Sequence, residues 1–527
     1  MSSKMPRLKR DTSRDGLHNT LEYFGLSNFK PFWRLNNRVK PLEKFWNKSI
    51  INSLLGKTAP RPYPLSTIAE YTTWDAVTDT DWFTRHLPPT DQSSLPPLDD
   101  VLTLFRHGDV GPRPSETSTY LFPCFAQWFT DGFLLTDPEH GRKTYTTHQI
   151  DLNAVYGLHP DQTQALRQQS GTSGQKGRLL TETIDGEEFA PRLFQADGSR
   201  KPEFATLPMP ERLTDEIPLE RWQTMFAFGG SRANATAQTA TINTLFIREH
   251  NRIAAILEDA HPGWDDERVF QTARVINIAV LIKIVVEEYI NHISPYFFQL
   301  RFDGSVAWKA DWNRPNWIPV EFNVLYRWHS LVPDQISWNG RSMPTSETVL
   351  DNAMLLQAGM AETLALTSDC RSRELGLMNT PEFLLDIERT TLALSRQNEI
   401  APYNAYREAF SFPKATRFEQ VSSNPAIIDG LRDIYGDVDR IEFWVGLLAE
   451  DPRPNAAVPS LLGRMVAIDA FSHGLTNPLL APGVYSAETF THEGLDIING
   501  TRTLADLTVR NSSKPVDPAS ITMELGL

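Results

Sequence analysis

A mainly α fold is predicted, and three observations predict it. Apolar residues recur at helical spacing over long segments, the alternation of a half-buried strand is nearly absent, and one segment is apolar on almost every side, as buried helices of large proteins are. With 527 residues, 40% of them hydrophobic and 10% aromatic, the chain can bury a sizeable core.

Taken in order, the elements are these. Residues 1–57 carry 12 Lys and Arg against 4 acids, in a chain whose net charge is −14. Between 20 and 57 that charge is mixed with Phe24, Phe29, Phe32, Trp33, Phe45, Trp46, Ile50, Ile51, Leu54 and Leu55. Pro31 and Pro41 break the stretch into short helices, and basic amphipathic helices with aromatic faces can lie in a membrane interface. Packing of those aromatics on the main body is the alternative. Pro-rich connectors follow at 58–66 and 88–98. Long helices are predicted over 235–259, which stops at His261-Pro262-Gly263, and over 266–296. Further helices are predicted over 347–367, 381–397, 425–435 and 459–473.

The acidic balance argues against nucleic acid as a partner. No run of about 18 uncharged apolar residues marks a membrane span. The basic start has no signal-type apolar stretch behind it, and Cys124 and Cys370 are the only cysteines. Their scarcity suits a reducing compartment, so a cytoplasmic protein, peripheral on a membrane, is expected, with both thiols inert in the core.

The motif EFNVLYRWHSLVPD (321–334) sets Tyr326 and His329 three residues apart. On a helix such a pair shares one face, with Cβ atoms about 5–6 Å apart. A neutral imidazole is a common haem-iron ligand, and a phenol close by can pass an electron to an oxidised centre. Alone this signal is weak.

Five separated blocks strengthen it: FAQWFTDGF (125–133), LFIREHNRIAAILEDAHPGWDDERVFQTARVINIAVLIKIVVEEYI (245–290), the motif above, APYNAYREAF (401–410) and IYGDVDRIEF (434–443). Together they resemble the cyclooxygenases of the animal haem peroxidase superfamily, from about residue 20 to about 495, in a form closer to bacterial or lower-eukaryote fatty acid dioxygenases. The resemblance implies the mainly α animal haem peroxidase fold. It divides the chain into a membrane-binding-like segment, 1–66, and a catalytic domain, 67–527.

It further implies haem (heme b, iron protoporphyrin IX) ligated through its iron by His329, with Tyr435 behind it on the proximal side. Tyr326 is implied as the radical tyrosine, and Tyr289 as the residue that orients it. Phe322, Leu325, Trp328, Ile290, Ala470 and His473 are implied to line the substrate channel. Gln127 matches the distal glutamine, but Asp131 stands where the family has a distal histidine. A carboxylate is a poorer proton shuttle than an imidazole unless burial raises its pKa, so weak peroxidase activity is expected.

Thr130 and Ala235 occupy the positions of ester-forming carboxylates, so the haem should be bound non-covalently. Ala470 replaces the aspirin-acetylated serine, and the carboxylate-anchoring arginine has no clear match: the position falls on Leu55, with Lys57 and Arg61 near. The implied function is a tyrosyl-radical dioxygenase acting on an unsaturated fatty acid and O2 to give a hydroperoxide. A haem peroxidase oxidising small donors is the alternative. Residues 20–57 are the candidate peripheral membrane contact, and a homodimer is left open.

Overall fold

The computed structural model describes residues 13–526 other than 57–65, 70, 72, 109–110, 295 and 315, so Lys57 and Arg61 lie outside the described residues. The chain folds into helices, among them α1 (Leu17–Ser27), α2 (Lys30–Asn36), α3 (Lys40–Leu55), α4 (Leu121–Asp131), α5 (Ala237–Ala260), α6 (Asp266–Ile284), α7 (Val320–Leu325), α8 (Ala353–Ala358), α9 (Met360–Asp369), α10 (Leu385–Gln397), α11 (Pro425–Tyr435) and α12 (Ser460–Leu475), with further helices between and after them. Strands among the described residues form only two-stranded antiparallel pairs: Pro114–Thr119 with Arg371–Arg373, Glu182–Ile184 with Glu187–Phe189, and Gln335–Trp338 with Arg341–Pro344. The mainly α expectation is met.

The central helix, α5, looks polar in sequence yet is buried along most of its length. It manages this because its polar groups are satisfied locally. Thr241 and Thr244 donate to the carbonyls four residues back, at 2.6 and 2.8 Å. Glu249 sits between Arg252 and Arg510, at 2.8 and 2.6 Å. Its start is fixed by a reciprocal cap: Thr236 accepts from the Thr239 amide at 3.2 Å while Thr239 accepts from the Thr236 amide at 3.0 Å. Asp265 caps α6 by accepting from the Arg268 amide at 2.8 Å, and Asp266 and Glu267 follow where the helix dipole favours anions. α5 packs against both α4 and α6.

Two of the predicted helices are modified. The 266–296 helix widens into a π turn over Val285–Tyr289 and ends at Ile293, and π turns often accompany functional sites. The stretch 266–293 is long and apolar enough to cross a membrane, but most of it is buried inside this protein. The 347–367 helix is really α8 and α9, separated at Gly359 (φ +85°), where a Cβ would strike Glu187.

The N-terminal helices divide their apolar residues between two sides. Trp33, Ile51 and Leu55 are buried: Trp33 packs edge-on against Phe298 at 5.4 Å, and Asn47 clamps the Arg301 backbone at 2.8 and 3.0 Å. Phe24, Phe29, Phe32 and Phe45 point outward. Of the seventeen large exposed hydrophobics among the described residues, nine fall between Leu17 and Phe45.

Candidate active site

α4 is buried on nine of its eleven residues, and Gln127 is the exposed one. That exposure is inward, onto a cavity of about 270 Å³ which Ala126, Thr130 and Asp131 also line. A second wall is the stretch Tyr326–His329 with Val332, and Leu350, Leu384 and Ile387 add an apolar surface. Gln127, Asp131, Tyr326, Trp328 and His329 therefore share one chamber.

The helical spacing argument for Tyr326 and His329 does not hold. α7 ends at Leu325, Tyr326 and Trp328 leave the helical conformation, and His329 opens a separate 3₁₀ turn. The helix end is closed by Trp328, whose indole N–H donates to the Leu325 carbonyl at 2.7 Å. The two residues meet because the chain bends, not because they lie on one helical face.

The Nδ1 of His329 lies 3.2 Å from Glu388 Oε1, at an angle short of a full hydrogen bond. Glu388 is fully buried on α10, which packs against α7, and it accepts from the Thr380 hydroxyl at 3.2 Å and the Trp444 indole at 3.4 Å. With Nδ1 turned to a carboxylate, Nε2 is the nitrogen left for a ligand. Among the described residues no cluster of three or more His, Cys, Asp or Glu could hold a metal ion. A lone imidazole on an apolar-walled chamber fits an iron that brings a macrocycle of ligands with it. The residues present thus fit haem. Thr130 and Ala235 both line the chamber and neither offers a carboxylate; the Thr130 hydroxyl donates to the Ala126 carbonyl at 2.8 Å.

Asp131 Oδ1 pairs with Arg232 Nη1 at 3.1 Å, Arg232 also binds Glu211, and Asp131 Oδ2 is buried with no hydrogen-bond partner. Burial raises the Asp131 carboxyl above its ordinary value, and Arg232 opposes that without cancelling it.

Tyr326 is buried, its ring stacked on Trp328 at 4.7 Å and met edge-on by Phe322 at 4.8 Å. Burial pushes its phenol well up, so it stays protonated across the physiological range. Tyr289, last residue of the π turn, is coupled electrostatically to Tyr326, although the two hydroxyls fall short of full hydrogen-bond geometry.

Tyr435 is not in the chamber wall. Its hydroxyl donates to Glu442 Oε2 at 2.7 Å, and Glu442 pairs with Arg396 at 2.8 and 3.0 Å. The group that reaches the imidazole is Glu388, which sequence reasoning missed; Tyr435 is tied instead to Glu442 and Arg396. Phe322, Leu325, Ile290 and His473 are buried and Ala470 packs against the core, so of the six channel residues only Trp328 lines this chamber. Phe322 meets Tyr326 edge-on at 4.8 Å, and His473 stacks on Phe322 at 5.9 Å. Cys124 and Cys370 are buried free thiols, and burial pushes the Cys124 thiol up, which makes it unreactive.

The family model described as animal haem peroxidase matches residues 136–520. Prostaglandin G/H synthase 2 of Cavia porcellus is 29% identical over 501 residues, 91% of this chain and 79% of that protein. Prostaglandin G/H synthase 1 of Mus musculus is 29% identical over 469 residues, 86% of this chain and 74% of that protein. A variant fatty acid alpha-dioxygenase of Oryza sativa, solved with palmitic acid, superposes with a TM-score of 0.68 at 16% identity, covering 98% of this chain and 99% of that one. Peroxidase A of Dictyostelium discoideum superposes with a TM-score of 0.67 at 19% identity, covering 84% and 95%. At these identities the structural likenesses speak to the fold.

Proposed function

The chain belongs to the animal haem peroxidase family, and from that premise we propose that it is a haem-dependent fatty acid dioxygenase. One observation carries this reading: Tyr326 is a buried, protonated phenol in the wall of the chamber that His329 also lines. His329 would hold haem b, with no ester bond from Thr130 or Ala235, and the haem would supply an oxidising equivalent drawn from a peroxide.

Tyr326 loses the hydrogen of its Oη once and becomes a phenoxyl radical. That oxygen then takes a hydrogen atom from an allylic or bis-allylic carbon of an unsaturated fatty acid, leaving a carbon radical. O2 adds to the carbon, and the resulting peroxyl takes a hydrogen back from Tyr326 Oη. The products are a fatty acid hydroperoxide and the regenerated tyrosyl radical, so one oxidation of Tyr326 serves many turnovers. The protein's part is placement, since a C–H bond must face Oη for the transfer to occur. Trp328 and Phe322 fix the phenol ring, and Tyr289, whose hydroxyl stands near that of Tyr326 short of a full hydrogen bond, is the group placed to orient it.

Asp131 bears on the choice between oxygenation and small-donor peroxidation in two opposed ways: burial raises its carboxyl toward the range a proton shuttle needs, while taking up a proton forfeits its attraction to Arg232. The outward apolar faces of α1–α3 support peripheral membrane contact by residues 20–57.

Oxygen uptake by haem-replete protein with linoleate, with peroxidase turnover assayed alongside, tests the reading. Uptake that outpaces donor oxidation is expected. If no unsaturated fatty acid stimulates uptake, the dioxygenase reading fails, and vigorous donor oxidation in its place establishes the peroxidase alternative.

A further inference from the structure

One oxidisable side chain in the chamber wall has no part in the chemistry proposed above. Tyr120, just before α4, lines the same cavity as Tyr326 and His329 and is 4% exposed. Cys124 follows it by one helical turn, its amide donating to the Tyr120 carbonyl at 3.3 Å. Side chains at that spacing stand about 5–6 Å apart at Cβ. Cys370 reaches the same residue from far along the chain, its carbonyl accepting from the Tyr120 amide at 2.7 Å. The two cysteines of the chain therefore flank one phenol.

Their side chains interact as well. Burial pushes the Tyr120 phenol well up, and the thiols of Cys124 and Cys370 add to the rise. Neither sulfur lines the chamber; both cysteines are buried, and the Cys370 thiol donates to the Ser337 carbonyl at 3.4 Å. Thiolate chemistry is closed to such groups, because burial disfavours the anion and bars the approach of a peroxide. Hydrogen-atom transfer needs neither an anion nor access: it uses the neutral S–H and a radical beside it.

We infer that Tyr120, Cys124 and Cys370 form an outlet that discharges an oxidising equivalent left in the chamber when no fatty acid is there to use it. The inference rests on the haem reading of the chamber and is independent of which fatty acid is oxygenated. Tyr120 Oη gives up a hydrogen atom, its electron reducing the oxidised site and its proton passing to the oxygen left there by the peroxide. The Tyr120 phenoxyl then takes the hydrogen of the Cys124 thiol, which restores the phenol and leaves a sulfur radical. A peroxide carries two oxidising equivalents, so a second passage takes the hydrogen of Cys370 and the two sulfurs join. In sum, one ROOH and two thiols become ROH, water and one disulfide. Tyr326 and Tyr120 thus compete for the same equivalent, the first passing it to a fatty acid and the second to the protein's own thiols.

Anaerobic addition of one equivalent of ethyl hydroperoxide to the haem-replete full-length protein, without fatty acid, tests this by thiol titration of the unfolded product and by peptide mass mapping. Wild type should lose both thiols and yield a linked Cys124–Cys370 peptide. Tyr120→Phe, which keeps the ring, should retain most of both thiols with its Soret band at the wild-type position, and haem-free wild type should retain both. In a Tyr326→Phe background, the tyrosyl signal in freeze-quenched electron paramagnetic resonance should vanish on Tyr120→Phe and last longer on Cys124→Ser. The inference is overturned if Tyr120→Phe or haem-free protein loses its thiols as fast as wild type, or if wild type consumes the peroxide and keeps both thiols. Failure of the dioxygenase reading looks different: thiol loss persists while linoleate drives no oxygen uptake.

Discussion

His329 Nδ1 faces Glu388 Oε1 across 3.2 Å, and the carboxylate comes from a separate, fully buried position on α10. A carboxylate behind a ligating imidazole fixes its tautomer and raises its basicity, and losing such a partner typically costs about 10–100-fold in affinity for the bound metal group. Glu388→Gln should therefore speed haem release to a scavenger protein by about tenfold or more. An unchanged release rate would mean that Glu388 does not act through His329.

Tyr326→Phe removes one oxygen from a ring held by Trp328 and Phe322, so the packing should survive. Fatty acid-dependent oxygen uptake should vanish while the Soret band stays at its wild-type position. Retained uptake excludes Tyr326 as the hydrogen-abstracting group.

Asp131→His places a group that titrates near neutrality in the chamber wall. Peroxidase turnover with a small donor should rise, by up to about 10². The change also leaves Arg232 with Glu211 as its acidic partner, so a lower Tm is expected beside the higher turnover. Turnover that does not move places the peroxide-cleaving proton transfer elsewhere.

Acid should weaken the fold early. Burial pushes His250 down to about 3 and His148 and His292 down to about 4. Their folded values lie below the unfolded value of about 6.5, so the unfolded chain binds protons first as pH falls, and the stability present above that value is lost through the window beneath it. Each contributes roughly 1.4 kcal/mol per pH unit there. Burial pushes Glu288 the other way, up to about 8, so that its share of stability grows as pH falls from 8 toward its unfolded value. Burial raises the Asp131, Asp151 and Glu450 carboxyls too, and these act with Glu288 against the histidines. The histidine share is isolated by His250→Gln, whose stability should fall less than that of wild type between about pH 6.5 and 5 in denaturant titrations; an unchanged slope contradicts it.

Replacing Phe24, Phe29, Phe32 and Phe45 together by Ser removes outward-facing apolar area without touching the buried Trp33 and Ile51. Co-sedimentation with phosphatidylcholine–phosphatidylserine vesicles should fall by about tenfold or more, since burying each Phe contributes on the order of 1.5–3 kcal/mol when complete. Equal sedimentation of variant and wild type removes α1–α3 as the membrane contact.

The helical architecture and the Tyr326–His329 motif were legible because both are local. Apolar spacing reports a helix from a dozen residues, and the motif reports itself from fourteen. The parts that were not legible depend on distant contacts. Glu388 reads in sequence as one more charged residue on an amphipathic helix; only the fold shows it buried against Thr380, Trp444 and His329. Arg232 as the partner of Asp131 lies 101 residues away along the chain. Helical spacing carried straight through Leu325, but the Trp328 indole takes the helix-end carbonyl and turns the chain there. Likewise the break at Gly359 follows from Glu187, on a distant strand, occupying the space a side chain would need.

The helices with outward phenylalanines also wall a cavity of about 100 Å³, through Leu26 on α1 and Ile51 and Leu54 on α3. With those helices seated in a bilayer and a fatty acid as the substrate, both as proposed, substrate dissolved in the lipid would meet the protein without crossing bulk water. Its effective concentration is then a mole fraction at a surface. Adding inert lipid at constant substrate should slow the enzyme by dilution in two dimensions, and a KM quoted per unit volume will vary with the amount of membrane present.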